Sequence, residues 1–134
     1  MRIAVCETSA AAAQRMCSWI EQYCRLYQVP AVLESFVSSA AISSYGGHFA
    51  IVFLCTGGSA GFYQARQLRE RDPACKIILV DDTQEFAIRG MRLHCTDFIL
   101  HFIIIPILHI GNIDHHIHFP GSVRHRLTRL LHLG

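Results

Sequence analysis

Residues 51–61 read IVFLCTGGSAG. Ile51 to Leu54 is an unbroken apolar run, followed at once by a glycine-rich loop. A strand with no polar face must be covered on both sides, which is the habit of parallel sheets flanked by helices. Cys55 stands where the run meets the loop. In open α/β sheets that junction is where ligands and reactive groups gather. Both the fold and the function of the chain turn on how often this strand-then-loop pattern repeats.

It repeats five times. RIAVC (2–6), AVLESF (31–36), AIVFLC (50–55), KIILV (76–80) and DFIL (97–100) are strand-length apolar runs. Longer segments with three- and four-residue apolar spacing separate them. Ser9 is placed to cap a helix carrying Met16, Trp19, Ile20, Tyr23 and Tyr27. Ser38 is placed to cap a short helix reaching Tyr45, and Gly46-Gly47 ends it. FYQARQLRERD (62–72) and TQEFAIRGMRL (83–93) supply two more helices. Beyond Leu100, Ile103, Ile107, Ile110, Ile113 and Ile117 fall on one helical face. Gly111-Asn112 is a turn signal that would instead make a hairpin, and the helix is the favoured reading. The pattern predicts one α/β domain, a (βα)5 doubly wound parallel sheet of flavodoxin-like architecture over residues 1–119. Residues 120–134 form a basic tail or helix extension.

Bulk properties agree with a single packed domain. The chain has 134 residues, 51% of them hydrophobic and 16% charged, with a net charge of +2. That charge is too small to imply a nucleic-acid partner. The arginines at 124, 126 and 129 read as a solvated amphipathic face. No run approaches the roughly 18 apolar residues of a membrane span, and the first residues lack a signal-peptide pattern. The expected location is cytoplasmic, with no membrane partner. Six cysteines include no Cys-x-x-Cys pair, which favours reduced core thiols. Asp114, His115 and His118 have spacing that would suit Zn²⁺ or Ni²⁺ on a helix, but a solvated face is the preferred reading.

Right-handed crossovers place all five strand C-termini on one edge. Cys6-Glu7-Thr8, Cys55-Thr56-Gly57, Asp81-Asp82 and His101 are therefore expected around one crevice. With those strand ends in view, the chain resembles a response-regulator receiver domain of the CheY-like family, nearest to the LytTR-type regulators. The resemblance lies in MRIAVC, YGGHFAIVFL, LRERDPACKIILV and QEFAIRGMRLHCTDFIL, and covers about residues 1–100.

The resemblance implies a set of phosphotransfer residues, and this sequence departs from nearly all of them. Receivers of this kind carry two acidic residues after strand one to hold Mg²⁺; here the pair is Glu7-Thr8. The phospho-accepting aspartate is Cys55, the hydroxyl residue after strand four is Asp81, and the lysine after strand five is His101. Phe86, near the place of the family's switching aromatic, keeps its type. Glu7 and Asp81 remain as weakened Mg²⁺ ligands, and no other cofactor is expected. The resemblance thus implies a degenerate receiver, or pseudo-receiver: a non-enzymatic two-component signalling module. It would work by protein–protein contact or as a homodimer through helix four, strand five and the following helix. The expected interface residues are Phe86, Ile103, Ile107, Ile110, Ile113 and Ile117. Such receivers usually precede a DNA-binding transcription-regulator domain. The chain to Gly134 has no length for one, so DNA contact is expected only through a missing effector domain.

A second reading makes Cys55 the nucleophile of a phosphocarrier or phosphatase-like enzyme. Loop N–H groups and a helix N-terminus would cradle the anion and lower the thiol pKa. The Cys-x5-Arg spacing of cysteine phosphatases is missing, because Gly61 stands six residues on. A third reading, a nucleotide or small-molecule binder, draws on Gly57, Gly58 and Gly61 but lacks a Gly-x-Gly-x-x-Gly or a Walker lysine.

Overall fold

The computed structural model of the chain describes residues 1–45 and 47–100. His101, the isoleucine stripe from Ile103 to Ile117, the histidines at 115–118 and the basic tail lie outside the described residues.

Five strands and four helices alternate along the chain: β1 (Arg2–Cys6), α1 (Ala10–Leu26), β2 (Val32–Phe36), α2 (Ser39–Ser44), β3 (Ile51–Leu54), α3 (Gly58–Arg71), β4 (Lys76–Asp81), α4 (Ala87–Arg92) and β5 (Asp97–Leu100). All four strand pairings are parallel, and the sheet order is β2-β1-β3-β4-β5. This is the doubly wound α/β sheet expected from the alternation. Its order reverses beside β1, so β1 and β3 flank the topological switch point.

The expected strands stand within a residue of the observed ones, because buried apolar runs leave little choice. β3 is buried along its whole length, and Ile51, Val52 and Phe53 have no exposed surface. The sheet carries a core on each face. Ile3, Val5, Phe53, Ile78 and Val80 pack with Met16, Ile20 and Tyr23 of α1. Ala4, Val52, Leu54, Ile77 and Leu79 pack with Ile42, Ala65 and Leu68. Each large side chain so buried contributes about 1.5–3 kcal/mol relative to exposure. Ser9 caps α1 as expected, its Oγ accepting from the Ala12 N–H at 3.1 Å.

Two helices differ from expectation. α3 starts at Gly58 rather than Phe62, because the supposed loop is drawn into the first helical turn. α4 spans only Ala87–Arg92, and residues 83–86 form bends and a turn leading into it. Gly90 sits against the sheet, where an added Cβ would lie 2.7 Å from Leu79 Cδ1. No helix among the described residues is long and apolar enough to cross a membrane.

Arg69, near the end of α3, ties three segments together. Its Nε donates to the Leu93 carbonyl at 3.1 Å and its Nη2 to the His94 carbonyl at 2.8 Å. Its Nη1 donates to the carbonyls of Asp72, Pro73 and Cys75, the last at 2.6 Å. One guanidinium thereby satisfies the turns before β4 and before β5. Replacing Arg69 by Ala strips partners from all of these carbonyls and is expected to cost about 2–4 kcal/mol in urea unfolding. Arg69→Lys is expected to recover only a minority of that loss, since an ammonium lacks the planar fork.

Candidate functional site

The site is built where β1, β3 and β4 end. The Cys55 N–H donates to the Cys6 carbonyl at 2.9 Å, and the Glu7 N–H to the Phe36 carbonyl at 3.0 Å. These bonds carry the ladder one residue past the strands and fix both backbones. Side chains alternate across a sheet, and that alternation divides the site in two. Cys55 belongs to the core on the α1 face with Val5, Phe53 and Val80. Leu79 packs on the α3 face, so Asp81, two residues on, turns the same way, toward the loop after β3.

On the α1 face, the Cys55 thiol is 2% exposed and shares a hydrogen bond with the Glu7 side chain. Glu7, itself buried, also accepts from the Thr8 N–H at 3.2 Å. Burial first, and the Glu7 carboxylate second, push the Cys55 thiol well above its ordinary pKa. This is the reverse of the lowering that a loop cradle was expected to produce. The Gly58 N–H of that loop is instead taken by a carboxylate from the opposite face.

That carboxylate is Asp81. Its Oδ2 accepts from the Gly58 N–H at 2.8 Å, and its Oδ1 from the Asp82 N–H at 2.7 Å. Gly57 makes the approach possible. A Cβ there would lie 2.9 Å from Asp81 Oδ1, and its φ of 77° with ψ of 167° suits glycine alone. The Thr56 hydroxyl is turned away to the Gln64 side-chain oxygen at 2.5 Å. Phe62 and Phe86 stack with ring centroids 5.8 Å apart, and the Arg89 guanidinium lies 5.6 Å from the Phe86 centroid. Together Gly57, Gly58, Asp81, Phe62 and Phe86 line a crevice of only about 10 Å³, room for one water at most.

Sequence reasoning named Glu7, Cys55 and Asp81, and all three stand at the strand ends. It expected Glu7 and Asp81 to face one cation; the structure engages them separately, one with a thiol and one with backbone amides. Mg²⁺ requires a near-octahedral shell of oxygens. Among the described residues no three His, Cys, Asp or Glu side chains gather to hold a metal ion. Gln64 was missed, since a glutamine within a polar helical stretch gives no sign that it is 7% exposed. A larger cavity of about 150 Å³ lies between α2 and α3, lined by Ile42, Gln64, Gln67, Leu68 and Arg71.

No protein-family model matches the chain, and no curated protein matches it. Solved structures do. The BeF3-activated DrrB receiver domain aligns at 15% identity with a TM-score of 0.64, over 98% of this chain and 97% of that one. A response regulator receiver protein from Pseudoalteromonas atlantica gives 14% and 0.64, over 98% of both chains. The non-phosphorylated HemR receiver domain from Leptospira biflexa gives 19% and 0.61, over 99% of this chain and 95% of that one. At such identities the likeness is one of fold: this chain has the CheY-like receiver fold.

The buried thiols predict an alkaline limit to stability. Burial raises Cys6 and Cys75 from 9.0 to about 12, and Cys55 rises with them. A raised folded pKa means stability that is whole below the unfolded value and is lost as pH climbs. Unfolding free energy is therefore expected to fall from about pH 9 toward about pH 12, with a slope of up to about 1.4 kcal/mol per pH unit per thiol. Chemical denaturation across that range checks it. Cys→Ser variants at positions 6 and 75 should flatten the decline.

Proposed function

We propose that the chain is a pseudo-receiver: a signalling module that keeps the receiver fold, takes no phosphoryl group on an aspartate, and acts through protein contact. One observation carries the reading. At the end of β3, where the resemblance puts the phospho-accepting aspartate, stands a 2%-exposed thiol bonded to Glu7. A thiol has no carboxylate to form an acyl phosphate. A buried thiol beside a carboxylate also carries little thiolate to act as a nucleophile in its own right. The same burial weighs against a Cys55-dependent phosphocarrier, and the module is not an enzyme in this reading. A crevice of about 10 Å³ weighs likewise against a nucleotide binder.

The contact surface includes α4. Ile88 and Met91, one helical turn apart, are 68% and 72% exposed, and Phe86 leads into the same helix. Exposed apolar pairs of this kind suit a protein partner or a second copy of the chain. Ile103, Ile107, Ile110, Ile113 and Ile117, which the resemblance puts in the same interface, lie outside the described residues. The likeness extends to DrrB, an OmpR/PhoB homolog from Thermotoga maritima, where the alignment spans 52% of that chain. In this reading DNA is reached only through a separate effector domain. The module is assigned to the cytoplasm, where two-component signalling takes place.

Incubation with acetyl phosphate and Mg²⁺, followed by intact-mass measurement beside a Cys55→Ser control, is expected to give no phosphoryl adduct in either protein. An adduct lost in Cys55→Ser and stable to hydroxylamine would replace the pseudo-receiver with a cysteine phosphocarrier. In sedimentation velocity the chain is expected to run as a dimer whether or not Mg²⁺ is present, and Ile88→Asp with Met91→Asp is expected to shift it to monomer.

A further inference from the structure

The Gly58 N–H, first in α3, has a partner that comes from another strand. α3 is 14 residues long, and its N-cap, Gly57, offers no side chain to accept from the first turn. Helix starts leave such donors unmet and carry a partial positive charge. Asp81, from the end of β4, meets both needs with one carboxylate oxygen on the Gly58 N–H at 2.8 Å. Its other oxygen takes the Asp82 N–H at 2.7 Å. The carboxylate is 8% exposed, so it has left water and depends on these bonds for its compensation.

We propose that Asp81 is an internal anion for the loop after β3: it fills the place that a free anion such as inorganic phosphate would take, and latches residues 55–58 in one closed arrangement. Three features fit this role beyond the hydrogen bonds. Gly57 lacks the Cβ that would lie 2.9 Å from Asp81 Oδ1, so the loop is shaped for the carboxylate. The crevice keeps about 10 Å³, which leaves no space for a second anion beside the first. The Thr56 hydroxyl, on the same loop, is held by Gln64 at 2.5 Å. The stacked pair Phe62 and Phe86 lines the same crevice. The inference deepens the pseudo-receiver reading, and it rests on that reading only in taking the loop's anion to be the chain's own.

Amide NMR on the intact chain, read at Gly58 and Asp82 while inorganic phosphate is titrated in, tests the latch. In the wild-type protein phosphate should leave the Gly58 resonance unmoved. In Asp81→Ala the Gly58 amide should exchange about tenfold faster or more, as the loss of a charged hydrogen bond implies. Phosphate should then shift that resonance saturably. Asp81→Asn, which keeps the shape without the charge, should exchange faster than wild type. A saturable phosphate shift at Gly58 in the wild-type chain would overturn the proposal, as would unchanged Gly58 exchange in Asp81→Ala. If Asp81→Ala does not fold, wild-type titration and Asp81→Asn exchange decide: unchanged exchange in Asp81→Asn sinks the latch. The two readings fail separately. A covalent phosphoryl adduct with Gly58 still protected would end the pseudo-receiver and leave the latch standing.

Discussion

A strand with no solvent-tolerant face has to sit inside a sheet that is covered above and below, and β3 is such a strand. Ile51, Val52, Phe53 and Leu54 are each at most 1% exposed, with β1 on one side and β4 on the other. Covering both faces needs helices on both, and helices that cross between parallel strands leave every strand end on the same edge. The site follows from this one constraint, since Asp81 closes β4 while Glu7 and Cys55 stand one residue past β1 and β3.

The same sheet then works against a shared site. Alternation along the strands sends Cys55 into the α1-side core and Asp81 toward α3. Each polar group is met on its own face: the thiol by Glu7, the carboxylate by Gly58 and Asp82. Burial makes these pairings matter, because an unmet charge or dipole at such a depth costs more than any one bond gains. Three groups expected around one crevice thus become two closed local pairings.

Much of the fold was legible beforehand. Continuous apolar runs fixed β1, β3 and β4 to within a residue, and Ser9 announced the start of α1. Helix starts governed by distant partners were not legible. α3 begins four residues earlier than its apolar periodicity suggests, at Gly58, because a carboxylate 23 positions away supplies the cap. α4 is shorter than its pattern, with Gly90 pressed against Leu79. Gln64 and Arg69 gave no advance sign of their roles, since polar helix residues look alike until a turn from elsewhere presents its carbonyls or hydroxyls.

The sequence by itself determined the α/β alternation, the buried strands and the identity of the residues at the strand ends, because these depend on local composition and period. Tertiary structure alone decided what those residues do. The pKa of Cys55 depends on its depth and on Glu7, contributed by another strand, and the Gly58 N–H takes its carboxylate from β4. Desolvation and hydrogen bonding act through space between segments far apart in the chain, and no spacing within a single segment encodes them.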